Sequence, residues 1–301
     1  MSEFDPAPAA AALLAARRAV GALAPHGAVG ALASHGAAGA PASHPAEAAL
    51  APGHAGDVLA PLPVAIAPRN EAEGAAVQQA LARAIGADPP AGFKIGATAK
   101  RMQEYLGLPG PAAGFMPAAG LHATGTTLRF ADFHRPGVEC EVAVRLVRDL
   151  PPGPCTAAVA AAAVGTFFAA IEVVENRYGD LAAFGTPSLI ADQVFHAAAV
   201  LGAPSGQGWD GDWQALDIPA LAGSLAIDGT ERDRGVAADL LGHPMNGLAW
   251  LAGSAVAVAF GGLRAGQVVL LGSVTPPVWL EAPGTVTVAF PPLPEVRVIF
   301  A

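Results

Sequence analysis

The sequence predicts an α+β fold built around a largely antiparallel or rolled β-sheet, and three observations carry that reading. Residues 138–147 alternate between two faces with the period of a strand. Three further β-rich runs, QVVLLGS (267–273), GTVTVAF (284–290) and EVRVIF (295–300), crowd the C-terminal part of the chain. Strand-like and helix-like segments are mixed without the regular beat of a doubly wound sheet, and GxGxxG, P-loop and HExxH patterns are all absent.

Residues 1–68 read as an Ala/Gly/Pro/His low-complexity extension, set apart from a folded domain over 69–301. Within it a nine-residue unit repeats as GALAPHGAV, GALASHGAA and GAPASHPAE, each copy placing one histidine: His26, His35 and His44, with His54 in a degenerate fourth copy. Such a tract could collect metal weakly. The preferred reading is a low-complexity expansion, since a unit so poor in large side chains cannot pack a core. Residues 19–67 are therefore expected to be mobile or laid loosely over the body.

Order is expected from Arg69. Asn70 followed by Glu73 forms a capping-box pattern, Val77, Leu81 and Ile85 share one helical face, and Gly86 stops the helix. A short helix over about 99–106 ends at Gly107. In the alternating strand, Val138, Cys140, Val142, Val144 and Leu146 take one face and Glu139, Glu141, Ala143 and Arg145 the other, which predicts a half-buried strand. Next come an Ala-rich helix (about 156–169), a strand (170–175), a helix (about 189–201), a hairpin at Asp228-Gly229 and a helix after His243-Pro244.

Composition narrows the function. The 301 residues are 53% hydrophobic and 14% charged, with a net charge of −9 and no Lys/Arg cluster, which argues against a nucleic-acid groove or an anionic membrane surface. Two cysteines, Cys140 and Cys155, make no disulfide framework, so a reducing cytoplasm is the expectation. The opening MSEFDPAPAAAALLAARR has acid before its apolar stretch and base after it, the reverse of a secretory signal. The uncharged run from Cys155 to Ile171 is mostly alanine and reads as a buried helix rather than a membrane span. A soluble protein is expected.

Three features could carry chemistry. Glu139 and Glu141 point the same way from one strand, their backbones roughly 6–7 Å apart, so both can converge on one cation; a solvated acidic face is the alternative. Glu172 sits in an apolar run, where an unpaired charge is costly; it needs either a shared metal or a salt bridge, for which Arg177 is the nearby candidate. Three carboxylates without histidine or thiolate imply a hard ion, Mg²⁺ or Mn²⁺. Lys94, bracketed by glycines in GFKIG, can approach a ligand closely and serve acid–base work, or it is an ordinary surface amine.

Together GFKIGATAKRMQEYLGLPGPAAG, VECEVAVRLVRDL, AAIEVVENRYGD, LLGHPMNGLAWLA and LRAGQVVLLGSVTPPV resemble, in content and order, the 2-keto-4-pentenoate hydratases of the fumarylacetoacetate hydrolase superfamily. The resemblance runs from about residue 69 to the C-terminus. It implies a mixed β roll with flanking helices, usually oligomeric, with Glu139, Glu141 and Glu172 as metal ligands, Lys94 as the active-site lysine and Ser273 in the substrate pocket. It also implies a small 2-oxo acid or enol substrate held by Mg²⁺ (or Mn²⁺), and hydration of 2-hydroxypenta-2,4-dienoate or a close relative in aromatic catabolism. A decarboxylase of the 4-oxalocrotonate type and a catalytically silent binding protein are the alternatives.

The chain departs from the family at two places. Ala112-Ala113 stands where an aspartate near the lysine is common, and ADQVFHA (191–197) replaces small polar residues, so that Phe195 and His196 would reshape the pocket. His196 and His243 are candidate substitutes for the missing acid, or structural histidines.

Overall fold

A computed structural model describes residues 4–19, 59–106, 108–179, 181–203 and 212–301. The strands are β1 (Gly92–Gly96), β2 (Ala112–Met116), β3 (Leu121–Ala123), β4 (Thr127–Leu128), β5 (Pro136–Leu146), β6 (Val164–Glu175), β7 (His196–Leu201), β8 (Ala222–Ile227), β9 (Thr230–Val236), β10 (Val268–Ser273), β11 (Val278–Trp279), β12 (Gly284–Ala289) and β13 (Val296–Phe300). The helices are α1 (Ala7–Ala19), α2 (Glu71–Ala84), α3 (Lys100–Leu106), α4 (Ala157–Ala162), α5 (Leu181–Phe184), α6 (Thr186–Ala191), α7 (Pro244–Gly253) and α8 (Ala255–Ala259). The architecture is α+β, a mixed sheet rolled on itself with helices around it.

The spine is the antiparallel pair β5–β6, in one register from Pro136↔Glu175 to Arg145↔Thr166, with a shift before Leu146↔Val164. Around it the larger sheet runs β2-β1-β10-β5-β6-β7-β3, with β11 pairing β5. This sheet curls until β2 and β7 touch, which turns one face into an interior. Met116, Ala143, Phe168, Ala170, Ala199, Val268 and Leu270 fill part of that interior as a separate apolar cluster. The other face of β5 packs against a second sheet, β4-β13-β12-β8-β9; Cys140, Val142 and Val144 are fully buried there, as are Leu225, Val286, Val288 and Val298. Thus β5 is buried on both faces, not half-buried as its alternation predicts. Its second face is covered by the curl of its own sheet, which period-2 patterning cannot show.

Several local expectations hold. Asn70 caps α2 by accepting from the Glu73 N–H, and Val77 and Leu81 are fully buried. Asp228 and Gly229 take positive φ in the β8–β9 turn, as a tight hairpin requires. His243 is the N-cap of α7 and accepts from the Met245 N–H at 3.0 Å, a structural role that accounts for this histidine.

Others are corrected. The Ala-rich helix stops at Ala162 and the next strand starts at Val164, because Val164–Ala169 pairs with β5 and the ladder outweighs local alanine propensity. The helix expected over 189–201 is the short α6 followed by a turn and β7; Gln193, Val194 and Phe195 take φ of 61, 52 and 67. The N-terminal extension is not wholly outside the body. Residues 7–19 form α1, which packs on α2 and buries Ala9, Leu13 and Arg17. The histidines at 26, 35, 44 and 54 lie outside the described residues. Among the described residues no helix is long and apolar enough to cross a membrane.

Candidate active site

The ladder dictates which side chains meet inside the roll. Glu139 lies directly across from Glu172, and Glu141 shares the Glu139 face two residues on. Lys94 on β1 pairs with Leu270, and Leu270 pairs with Ala143 on that same face. The four residues singled out from sequence therefore share the inner face of the sheet.

The three acids converge. A carboxylate oxygen from each of Glu139, Glu141 and Glu172 lies within 4.8 Å of the other two. Glu141 Oε2 accepts from the Gly272 N–H at 3.0 Å. That donor is aimed by a register shift in β10 between Leu270 and Ser273, where Gly272 adopts φ +113 and a Cβ would stand 2.6 Å from Thr98 Oγ1. Only glycine suits that position, and a bulge beside a site is a usual means of turning one backbone N–H inward. Glu172 Oε1 bonds His196 Nδ1 at 2.8 Å and lies 3.3 Å from Lys94 Nζ. Arg177 takes no part: it pairs with Glu175 and Asp192, so the salt-bridge alternative for Glu172 falls to Lys94.

Lys94 is not a surface amine. It is 2% exposed and donates to the Val194 carbonyl at 2.6 Å. Gly96 makes room for it, since a Cβ there would stand 3.2 Å from Nζ. Of the two alanines that replace the family's aspartate, Ala112 shares the inner face with Gly96 and Lys94, whereas Ala113 pairs with Ile95 on the other face. The acid beside the lysine is Glu172. His196 does not restore a lost acid either. Burial holds it below its ordinary range despite the Glu172 contact, and its Nδ1 is spent on that carboxylate.

The electrostatics separates the acids. Burial, then the charge of Glu172, pushes Glu139 up to about 8. Burial with Glu172 and Glu139 beside it holds Glu141 well above the carboxylate range. For Glu172, burial acts upward, but Lys94 and His196 more than offset it and hold the group below its usual value. Two buried oxygens, Glu141 Oε1 and Glu172 Oε2, find no hydrogen-bond partner among the described residues. Uncompensated carboxylate oxygens converging on one point are what a hard divalent cation satisfies, so the residues present fit such an ion.

Glu139 and Glu141 border a cleft closed by Ile95–Ala99, Met102, Ser273, Thr275 and Pro276. Ser273 Oγ donates to the Thr275 carbonyl at 2.7 Å and accepts from the Thr275 N–H at 3.2 Å, which fixes its hydroxyl at the rim. Lys94 and Glu172 lie behind this lining. Sequence reasoning missed the Gly272 N–H and the Val194 carbonyl; the GS pair in LLGS was the one local sign of the bulge, and nothing local marks Val194.

Fold and site together define a divalent-metal enzyme built on a rolled, mixed sheet. Residues 93–299 match the model of the fumarylacetoacetate (FAA) hydrolase C-terminal family, and the chain belongs to that family. It is 37% identical over 211 residues to a 2-keto-4-pentenoate hydratase of Burkholderia vietnamiensis, covering 69% of this chain and 77% of that protein. A 2-keto-4-pentenoate hydratase of Paraburkholderia phymatum is 35% identical over 221 residues, 73% of this chain and 81% of the relative. In fold the chain is similar to 4-oxalocrotonate decarboxylase from Pseudomonas putida G7 complexed with magnesium and adipate, with a TM-score of 0.69 over 77% of this chain and 86% of that one at 24% identity.

Proposed function

We propose that this protein is a divalent-metal-dependent hydratase, a hydro-lyase that adds water to 2-hydroxypenta-2,4-dienoate or a close 2-oxo acid relative in the breakdown of aromatic compounds. The hydratase relatives support the reaction class. The observation that carries the reading is the convergence of Glu139, Glu141 and Glu172, two of them with unpartnered oxygens, beside the buried Lys94.

Glu139, Glu141 and Glu172 would hold the metal, Mg²⁺ or Mn²⁺. When bound, such an ion supplies a Lewis-acid charge for the carboxylate and 2-oxygen of the substrate and draws electron density toward that oxygen. Lys94 carries the proton. Its amine is held by Val194 and Glu172 behind the cleft lining, which sets the direction from which an N–H would meet the terminal carbon of the dienol. That protonation, with the 2-hydroxyl giving up its own proton to solvent, leaves a conjugated enone; water then adds at its fourth carbon and the third carbon takes a proton from solvent. The proton the water loses returns to the Lys94 amine and restores its ammonium beside Glu172, which is kept ionised between Lys94 and His196. Ser273 would meet the substrate at the cleft rim.

Among the described residues, the cleft lining contains no basic side chain. A second carboxylate at the far end of the substrate would have no partner there, which favours a monocarboxylate over the dicarboxylate of a decarboxylase. A cytoplasmic location and a homo-oligomeric state complete the proposal.

The test follows the ultraviolet absorbance of freshly generated 2-hydroxypenta-2,4-dienoate, with Mg²⁺ and then with excess chelator. Metal-dependent loss of the dienol band, abolished in Glu139→Ala and strongly slowed in Lys94→Ala, is the expected result. Loss at the spontaneous rate with metal bound would overturn it and leave a decarboxylase or a non-catalytic binder.

A further inference from the structure

We infer that Arg17, on the N-terminal helix α1, is a positioning residue for Lys94, acting through the left-handed turn at 193–195; the inference rests on the hydratase reading above. Lys94 makes its 2.6 Å hydrogen bond to the carbonyl of Val194, the middle residue of that turn. Three successive non-glycine residues with positive φ are costly, about 1–2 kcal/mol each for L-residues. Such a turn persists only where its surroundings over-determine it.

Arg17 supplies much of that determination from 175 residues away in sequence. Its Nε donates to Asp192 Oδ1 at 2.5 Å and its Nη1 to Gln193 Oε1 at 2.5 Å, so one guanidinium clamps the two residues entering the turn. Asp192 is fully buried and also takes Arg177 Nη2 at 3.0 Å and the hydroxyl of Tyr178. Gln193 Nε2 donates to the Phe115 carbonyl at 2.7 Å, tying the turn to β2. The Gly114 position of that strand lies so close to the turn that a Cβ would meet the Gln193 oxygen at 2.7 Å. Arg17 itself is 4% exposed and touches none of the three acids, so its effect on the site passes through Gln193 and Val194.

A planar fork can serve Asp192 and Gln193 at once, whereas a lysine ammonium can oppose Asp192 but not both. Arg17→Lys therefore keeps the buried charge balance while loosening Gln193, and Arg17→Gln removes the charge as well. Misplacing a reacting group by about 1 Å can cost about 100-fold in rate. The expected outcome is a kcat lower by roughly 10-fold in Arg17→Lys and by more in Arg17→Gln, with KM and the Mn²⁺ dissociation constant within twofold of the parent. Deuterium uptake over 192–198 should rise in the same order.

Folded variants with unchanged kcat would overturn the inference. So would a parallel loss of kcat, KM and Mn²⁺ affinity, which is what general destabilisation produces. Should Arg17→Gln fail to fold, Arg17→Lys alone decides. Should the parent protein leave the dienoate untouched while binding Mn²⁺, the hydratase reading fails, and deuterium uptake over 192–198 in Arg17→Lys still judges the clamp: unchanged uptake would refute it.

Discussion

Metal uptake by the metal-free protein should release protons, and the amount follows from the spacing of the acids. Two carboxylates at 4.8 Å, the outer limit of the cluster, repel by about 3.5 kcal/mol at an effective dielectric of about 20. At about 1.4 kcal/mol per pH unit, that moves one carboxyl from 4.5 to about 7. Burial raises it further still, Lys94 offsets part of both effects, and the net brings Glu139 to about 8, with Glu141 also held high. At pH 7 the metal-free site thus keeps a proton on Glu139, favours one on Glu141 and keeps a charge on Glu172. A divalent ion needs all three as carboxylates, so binding expels one to two protons, and the dissociation constant for Mg²⁺ should fall by about tenfold or more per pH unit from pH 6 to about 8. Titration calorimetry in buffers of different ionisation enthalpy counts those protons directly. Stability has the matching sign. Glu139 titrates higher folded than unfolded, so its contribution to the metal-free fold is complete below about 4.5 and is lost as pH rises through about 8. The melting temperature of metal-free protein should decline across that window, and saturating Mg²⁺ should abolish the decline. Metal binding with no proton release and no pH dependence would refute the assignment of the three acids as ligands.

Three further outcomes are expected. Lys94→Met should slow turnover by about 10²–10⁴-fold while calorimetry shows Mg²⁺ still bound; loss of metal with activity would mean that the lysine merely balances the acids. Gly272→Ala should weaken Mg²⁺ binding and turnover together, because a Cβ there meets Thr98 and displaces the N–H that holds Glu141; the readout is the dissociation constant alongside kcat. His243→Ala should cost about 1 kcal/mol in denaturant unfolding through the lost cap of α7 and leave the turnover rate of the folded enzyme unchanged.

What could be read from the sequence divides along a physical line. Glu139, Glu141 and Glu172 were legible because strand period alone puts the first two on one face, and an acid in an apolar run demands a partner. The hairpin at 228–229, the cap at Asn70 and the helix start after His243-Pro244 were legible because they are settled within four residues. The start of β6 and the 192–195 turn were not. Val164–Ala169 is strand because β5 lies beside it over its whole length. Residues 192–195 are a turn because Arg17 and Arg177, far apart in the chain, meet at Asp192. The docking of α1 was hidden for the same reason, since an Ala-rich segment reads as filler until its arginine finds a buried acid.

Curvature explains how a lysine three strands away from Glu172 comes to be its partner. Along the order β1-β10-β5-β6, a flat sheet would separate their backbones by about 14 Å at about 4.8 Å per strand. The extended side chains of a lysine and a glutamate can span part of that distance, yet in a flat sheet both would stand perpendicular to it rather than lean together. The observed 3.3 Å from Nζ to Oε1 requires the face that bears them to be concave. Register shifts at Leu270/Ser273 in β10 and at Val173/Val174 between β6 and β7 supply bends of the kind that close a roll. The first also aims the Gly272 N–H at Glu141, and the second lies beside His196, which holds Glu172. The irregularities that bend the sheet are therefore the same ones that orient two of its three acids. That gives a reason for the three acids to gather beside these two irregularities, while Ala143, Phe168 and Leu270 further along the same face pack as an apolar cluster.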